Sequence, residues 1–229
     1  LRRLVLVALG ALVICGGLLV ALAVQTPSFY RRVAAPLADE PAAEQAARRL
    51  VTDLSALRAD FGREGGWEAS LTDEGINAWL ATDLPRNHAR VLPDGISAPR
   101  LVFTPGRVHA AARLGAGGLS AVAWLVAEVQ LREPNQLGVV VEQAGLGALP
   151  LPRGPVLREL ARRCERLGMV ATVRRLDDRN VLVVYIPSTH EAGGTSHWLE
   201  ALAIGAGDVA VAGRTVRGPL RPAVGQDSR

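Results

Sequence analysis

The feature that most limits what this chain can become lies at its start: Leu4 to Val24 is an uninterrupted run of 21 apolar or small residues with no charge. A helix rises 1.5 Å per residue, so the run spans roughly 31 Å, the thickness of a bilayer's hydrocarbon layer. Arg2 and Arg3 precede it and place the N-terminal side in the cytoplasm; Arg31 and Arg32 beyond it pull weakly the other way. The expectation is a transmembrane signal anchor over residues 1–26, a single-pass protein of the cytoplasmic membrane, and a C-terminal domain on the extracytoplasmic side. A cleaved signal peptide is the rival, since Ala21-Leu22-Ala23 has the A-x-A pattern of a cleavage site. The run is longer than the roughly 7 to 15 residues of an ordinary signal core, which favours the anchor. Cys15 follows Ile14, too large a residue for the position before a lipidated cysteine.

What remains suits one domain. A juxtamembrane linker is expected over 27–40, an α+β domain over 41–216 and a disordered tail over 217–229. Apolar residues make up 49% of the chain but aromatic ones only 4%, so the core must be built from Val, Leu and Ala. Trp67, Trp79, Trp124 and Trp198 are its few bulky pieces, and a carbohydrate-binding platform has too little to be made from. The net charge of +4 and pI near 10 come from 26 basic residues that are all Arg. With Arg2 and Arg3 set aside the domain is nearly balanced, which speaks against nucleic acid as a partner. Cys15 and Cys164 offer no disulfide framework, because one falls in the apolar run and the other in a predicted helix.

Ala43, Ala46, Ala47, Leu50, Val51, Leu54 and Leu57 recur at helical spacing up to about Asp60. Trp67 to Leu71 then reads as a short strand, and Thr72 as the N-cap of a helix with Asp73 and Glu74 in its first turn and Ile76, Trp79 and Leu80 on one face. Asn87 to Pro99 has no assignable structure. Beyond Arg100 the period becomes two: a strand through Val108 to Leu114, and a long one in which Leu119, Ala121, Ala123, Leu125, Ala127, Val129 and Leu131 share a face. The other face, Ser120 to Arg132, is apolar in its first half and polar in its second. Glu133-Pro134-Asn135 turns the chain into the next strand. Pro155 opens a helix with Val156, Leu157, Leu160, Ala161, Cys164 and Leu167 inward, and Gly168 ends it. Strands near Met169–Leu176 and Val181–Ile186 and a last hairpin, Trp198–Ile204 with Asp208–Ala212, complete the pattern. The expected fold class is α+β, one mainly antiparallel, meander-type sheet of about eight strands with about three helices behind the transmembrane helix.

The stretch Leu71-Thr72-Asp73-Glu74-Gly75-Ile76-Asn77-Ala78-Trp79-Leu80-Ala81-Thr82-Asp83-Leu84-Pro85, then Gly118-Leu119-Ser120 opening a long strand, then Ala148-Leu149-Pro150-Leu151-Pro152 before a helix, resembles an uncharacterised family of N-terminally anchored extracytoplasmic proteins known mainly from planctomycetes. The resemblance runs from about Gly65 to Pro187. It implies no catalytic residues. More distantly, the order of elements is similar to extracytoplasmic families of unknown function, some suspected of binding lipid.

A search for chemistry returns little. Among His88, His109, His190 and His197, His190-Glu191 lacks the second histidine of a zinc-protease helix, and Gly193-Gly194 denies His190 and His197 a common helical face. No metal or cofactor is expected. No nucleophile elbow, phosphate loop or dinucleotide fingerprint occurs. Asp177-Asp178 reads as a hairpin tip rather than a carboxylate pair. Arg158, Arg162, Arg163 and Arg166 line the outer side of the Pro155 helix, a solvated row or a contact for anionic lipid or an acidic partner. Asn77 and Trp79, and Trp124 on the apolar half of the long strand, are the other candidates for ligand or partner contact; the plain alternatives are a hydrogen bond to a neighbouring loop for Asn77 and core packing for Trp79. The expectation is a non-enzymatic domain that binds a lipid or another apolar ligand in the cell envelope, or else a structural component of an envelope complex.

Overall fold

Small side chains decide how the helical part packs, and strand alternation decides the rest. The computed structural model describes residues 21–34, 40–116, 119–176, 178–188 and 195–218. Helix α1 (Ser28–Ala34) precedes α2 (Glu40–Phe61), strand β1 (Gly65–Thr72) and α3 (Asp73–Asn87). Strands β2 (Ile96–Thr104), β3 (Arg107–Ala116), β4 (Leu119–Glu133), β5 (Gln136–Leu146) and the short β6 (Leu149–Pro150) follow. Then come α4 (Arg153–Arg166), β7 (Val170–Leu176), β8 (Arg179–Tyr185), β9 (Thr195–Ile204) and β10 (Asp208–Arg217). The fold is α+β, and every strand pairing is antiparallel.

Two departures from the single meander stand out. The strands form two sheets: a seven-stranded one in the order β2-β3-β4-β5-β8-β7, with β6 beside β5, and a three-stranded one in the order β1-β10-β9. Strand β1 therefore finds its partner near the other end of the chain, Gly65 opposite Thr215 and Thr72 opposite Asp208. The stretches read as unstructured also hold elements: α1 lies within the supposed linker, and a 3-10 turn at Ala89–Val91 and the start of β2 lie between Asn87 and Pro99. Among the described residues no helix is long and apolar enough to cross a membrane. Most of Leu4–Val24, and the tail from residue 219 on, lie outside the described residues.

Local chemistry explains the helices. Thr72 is the N-cap of α3, its hydroxyl accepting from the Gly75 N–H at 3.1 Å, with Asp73 and Glu74 against the positive end of the helix. In α2 the alanines Ala43, Ala46 and Ala47 are buried together with Ala78 of α3, beside Trp79. Such small residues let the two helices approach closely. The apolar stripe of α2 does not stay covered, however: Val51 and Leu54 are exposed. In α4, Pro155 sits in the first turn, where a missing N–H is harmless, and Gly168, at φ 79°, turns the chain out after it. Leu157 and Ala161 of α4 are buried against Val141, Ala144, Ala171, Leu182 and Val184, which makes the main core. Burial of a leucine such as Leu157 contributes about 2 kcal/mol.

The seven-stranded sheet has two distinct ends. At one, Gly147 donates to the Val122 carbonyl at 2.7 Å and Ala148 donates to the Leu22 carbonyl at 2.8 Å, so the chain leaving the apolar run is tied to the sheet. From there α1 lies on the face of β3 and β4, with Tyr30 buried against Ala111 and Val122 and its hydroxyl donating to the Ala98 carbonyl at 2.8 Å. At the other end the three-stranded sheet crosses the turns. Gly106 donates to the Ile204 carbonyl, and Asn135 to that of Leu199. The two ends are separated by most of β4, about eleven residues from Val122 to Glu133 or roughly 35 Å at the rise of a strand.

Candidate functional site

The five sequence candidates are spread over the molecule. Asn77 is buried on α3, where its side-chain amide donates to the Leu101 carbonyl at 2.6 Å and its side-chain oxygen accepts from the Leu101 N–H at 2.8 Å. Leu101 lies in edge strand β2, so Asn77 pairs with that edge as another strand would. The neighbouring Phe103 is held likewise, its N–H donating to the Asp73 carboxylate and its carbonyl accepting from Gly207. Trp79 packs beside the alanine cluster, its ring tilted against that of His88 at 5.6 Å. It borders a groove of about 500 Å³ between α2 and α3. The charges there are already matched, Arg86 bridging Glu40 at 3.2 Å and Glu44 at 3.0 Å. The Arg86 guanidinium, by hydrogen bond first and by charge second, holds the Glu44 carboxyl below the usual carboxylate range.

Trp124 is an internal piece. Its indole N–H donates to the Gly147 carbonyl at 2.8 Å, and its ring lies where a side chain on Gly145 would be, 2.6 Å from a Cβ built there. Arg158 and Arg162 are exposed on α4, and Arg162 pairs with Glu159 at 2.8 Å. Arg163 and Arg166 converge on the same glutamate. One carboxylate thus serves three of the four arginines, and the row keeps a net positive charge.

The site that sequence reading missed is at the capped end. A cavity of about 860 Å³ opens between the end of α2, the three-stranded sheet and the chain leaving β8. Phe61, Trp67, Ile186, Pro187, Leu199 and Val211 make its apolar wall; Arg58, Asn135, Thr195, His197 and Arg217 supply its polar points. Several contacts set the wall. Phe61 meets Trp67 edge-on at 4.6 Å and His197 at 5.4 Å. Trp67 lies over Gly213, whose backbone sits at a bulge; a Cβ there would come within 2.4 Å of the indole and 1.9 Å of the Trp198 carbonyl. Only glycine leaves room for that ring. The Trp67 indole N–H is buried and has no acceptor among the described residues.

Asn135 forms the corner. It takes the left-handed conformation, φ 61°, at the turn between β4 and β5, which asparagine tolerates better than most residues. Its side-chain oxygen accepts from the Leu199 N–H at 2.6 Å and its amide donates to the His197 carbonyl at 2.8 Å. Its backbone N–H donates to the Leu199 carbonyl, and its carbonyl accepts from Ile186. Four bonds thus join β4, β9 and the segment after β8 at one residue.

His197 and Thr215 lie together, Nδ1 to Oγ1 at 3.0 Å, which as types could be base and nucleophile. Thr215 is only 2% exposed, and its hydroxyl also reaches the Phe61 carbonyl, so the pair fastens β9 and β10 to the end of α2. Among the described residues no group of three or more His, Cys, Asp or Glu is arranged to hold a metal. His190 lies outside the described residues, as does Asp177. Cys164 packs against the main core, and burial raises its thiol above the usual range. Compared with known proteins, the chain matches no family model, and neither a curated protein nor a solved structure is similar to it.

Proposed function

We propose that this chain is a membrane-anchored, non-enzymatic domain on the extracytoplasmic side of the cytoplasmic membrane that binds a lipid or another apolar ligand. The observation that carries the reading is the cavity of about 860 Å³ with its apolar wall and few polar points. Ligand sites have this size and make-up, about 300–1,000 Å³ with a handful of polar groups in an apolar lining. The uncharged run Leu4–Val24, with the resemblance of Gly65–Pro187 to a family of anchored proteins, supports the membrane part of the proposal. Native mass spectrometry of the full-length chain, released gently from membranes, tests it. An apolar adduct of defined mass, lost on delipidation and lost in a Leu199→Arg variant that still folds, is the expected result. A clean apo mass in every preparation would remove the ligand reading.

A second reading, a structural component of an envelope complex, is favoured by one edge of the large sheet. Strand β7 has no partner on its outer side among the described residues, and Val170 and Val173 are exposed along it, as is Leu167 beside it. Open edges of this kind accept strands from other chains. Crosslinking through a photoreactive residue at position 173 in intact cells tests it: a discrete adduct with another envelope protein supports the reading, and only unlinked chain counts against it.

A further inference from the structure

We infer that the ligand of the cavity at the capped end is a single-chain amphiphile with an anionic head, its chain against Phe61, Trp67 and Leu199 and its head between Arg58 and Arg217. The inference rests on the ligand-binding reading above and gives it a chemical class.

Charge selects the head. Arg58 and Arg217 are the two ionised side chains of the lining, and no carboxylate of the described residues joins them. Neither arginine is in an ion pair among the described residues, in contrast to Arg86, Arg107, Arg162 and Arg214, each of which meets a glutamate. Arg217 spends one N–H on the Gly62 carbonyl, at 3.2 Å, which fixes it at the rim with other donors to spare. Two unneutralised guanidinium groups beside an apolar wall complement a carboxylate or phosphate on a hydrocarbon chain.

Position gives the same answer. The chain leaves the apolar run at the opposite end of the sheet, where Leu22 is bonded to Ala148. The cavity lies roughly 35 Å along β4 from that point, so with the sheet standing away from the membrane a bound molecule has its head outside the bilayer. The protein must then satisfy the head itself. The cavity's volume, about 860 Å³, suits one chain rather than a two-chain lipid.

The test uses the full chain in phosphatidylcholine nanodiscs, with empty discs as the blank. Three pyrene-labelled probes of equal chain length are titrated: a fatty acid, a lysophosphatidate and a neutral alcohol, read by energy transfer from tryptophan. One or both anions are expected to bind about tenfold more tightly than the alcohol, as two exposed ion pairs allow; which anion does so tells a carboxylate source from a phosphate one. Arg58→Gln is expected to reduce anion binding severalfold and Arg58→Lys to spare most of it. The double variant Arg58→Gln/Arg217→Gln should bring the anions to the level of the alcohol, with the alcohol unchanged. Should Arg217→Gln disturb folding through its bond to Gly62, Arg58→Gln alone decides. Equal binding of anions and alcohol would overturn this inference and leave ligand binding standing. No probe binding above the empty discs would overturn both.

Discussion

The two ends of the large sheet are held by different means. Where the apolar run leads into the domain, the ties are few and replaceable: one backbone bond from Ala148 to Leu22 and one tyrosine hydroxyl on the Ala98 carbonyl, with the ring of Phe29 at 5.9 Å from His109 further along the sheet. At the capped end the ties are buried polar side chains, above all Asn135, that complete backbone groups which would otherwise have no partner. A backbone bond at the first end can be exchanged for water. At the second end the Asn135 bonds close onto part-buried backbone groups of β9, and a missing partner leaves an N–H or C=O poorly solvated. Loss of a side chain should therefore unfold the capped end and merely loosen the other.

The sharpest way to break that contrast is Asn135→Ala. It removes two hydrogen bonds to part-buried backbone groups and puts alanine into a left-handed conformation, so a loss of about 3 kcal/mol is expected in urea denaturation of the full chain in detergent. Asn135→Gly keeps the conformation accessible and should recover only about 1 kcal/mol of it. An effect below 1 kcal/mol for the alanine variant would mean that the cap is not held at this corner. Asn77→Ala comes next, at about 2–3 kcal/mol, since it frees both polar groups of Leu101 at edge strand β2. Its second consequence is structural: an edge released from its clamp is open to other chains, so concentration-dependent association should accompany the loss. A monomeric Asn77→Ala with unchanged stability would show that α3 does not close this edge.

How far the sequence disclosed this arrangement depends on how local each cause is. Thr72 and Asp73 announce α3 because a cap acts within one turn, and the alternation in β3 to β5 is legible because a strand's two faces need only the neighbouring strand. Asn77, one position off the apolar face, was recognisable as a bonding residue, though not its partner. Asn135 reads as a turn residue, which it is; its clamp on His197 and Leu199 depends on a strand more than sixty residues away. The pairing of β1 with β10 joins Gly65 to Thr215, and nothing in either segment names the other. The cavity draws its wall from five separate segments, so it has no spacing to detect. Helix α1, seven residues long, is too short to show a period and owes its place to Tyr30.

Tyr30→Phe tests the weaker end. It deletes the bond to the Ala98 carbonyl and keeps the ring among Ala111 and Val122, so about 1 kcal/mol is expected, confined to α1. Hydrogen exchange should quicken in residues 28–34 while the strands keep their protection. Uniformly faster exchange would mean that α1 is part of the global core and that the two ends do not differ.

The smallest expected effect is one of pH, and its sign follows from His109. Burial, and then the charge of Arg107, holds the His109 imidazole below its ordinary pKa, with Glu142 partly offsetting them. In the folded chain the ring is kept neutral, beside Phe29 and bonded through Nε2 to the Thr104 hydroxyl at 3.0 Å. The unfolded chain takes up the proton at higher pH than the folded one. The stabilisation is therefore complete above the ordinary imidazole pKa and is lost as pH falls from there through the lower folded value. Because Phe29 of α1 lies against the ring, the loss should appear first as faster exchange in α1 between pH 7 and pH 5, with the Asn135 corner of the capped end unaffected. His109→Gln, which cannot gain the charge, should flatten that dependence. If the acid response instead begins at the capped end, or survives His109→Gln, the proton is acting elsewhere and the weaker end is not the pH-sensitive one.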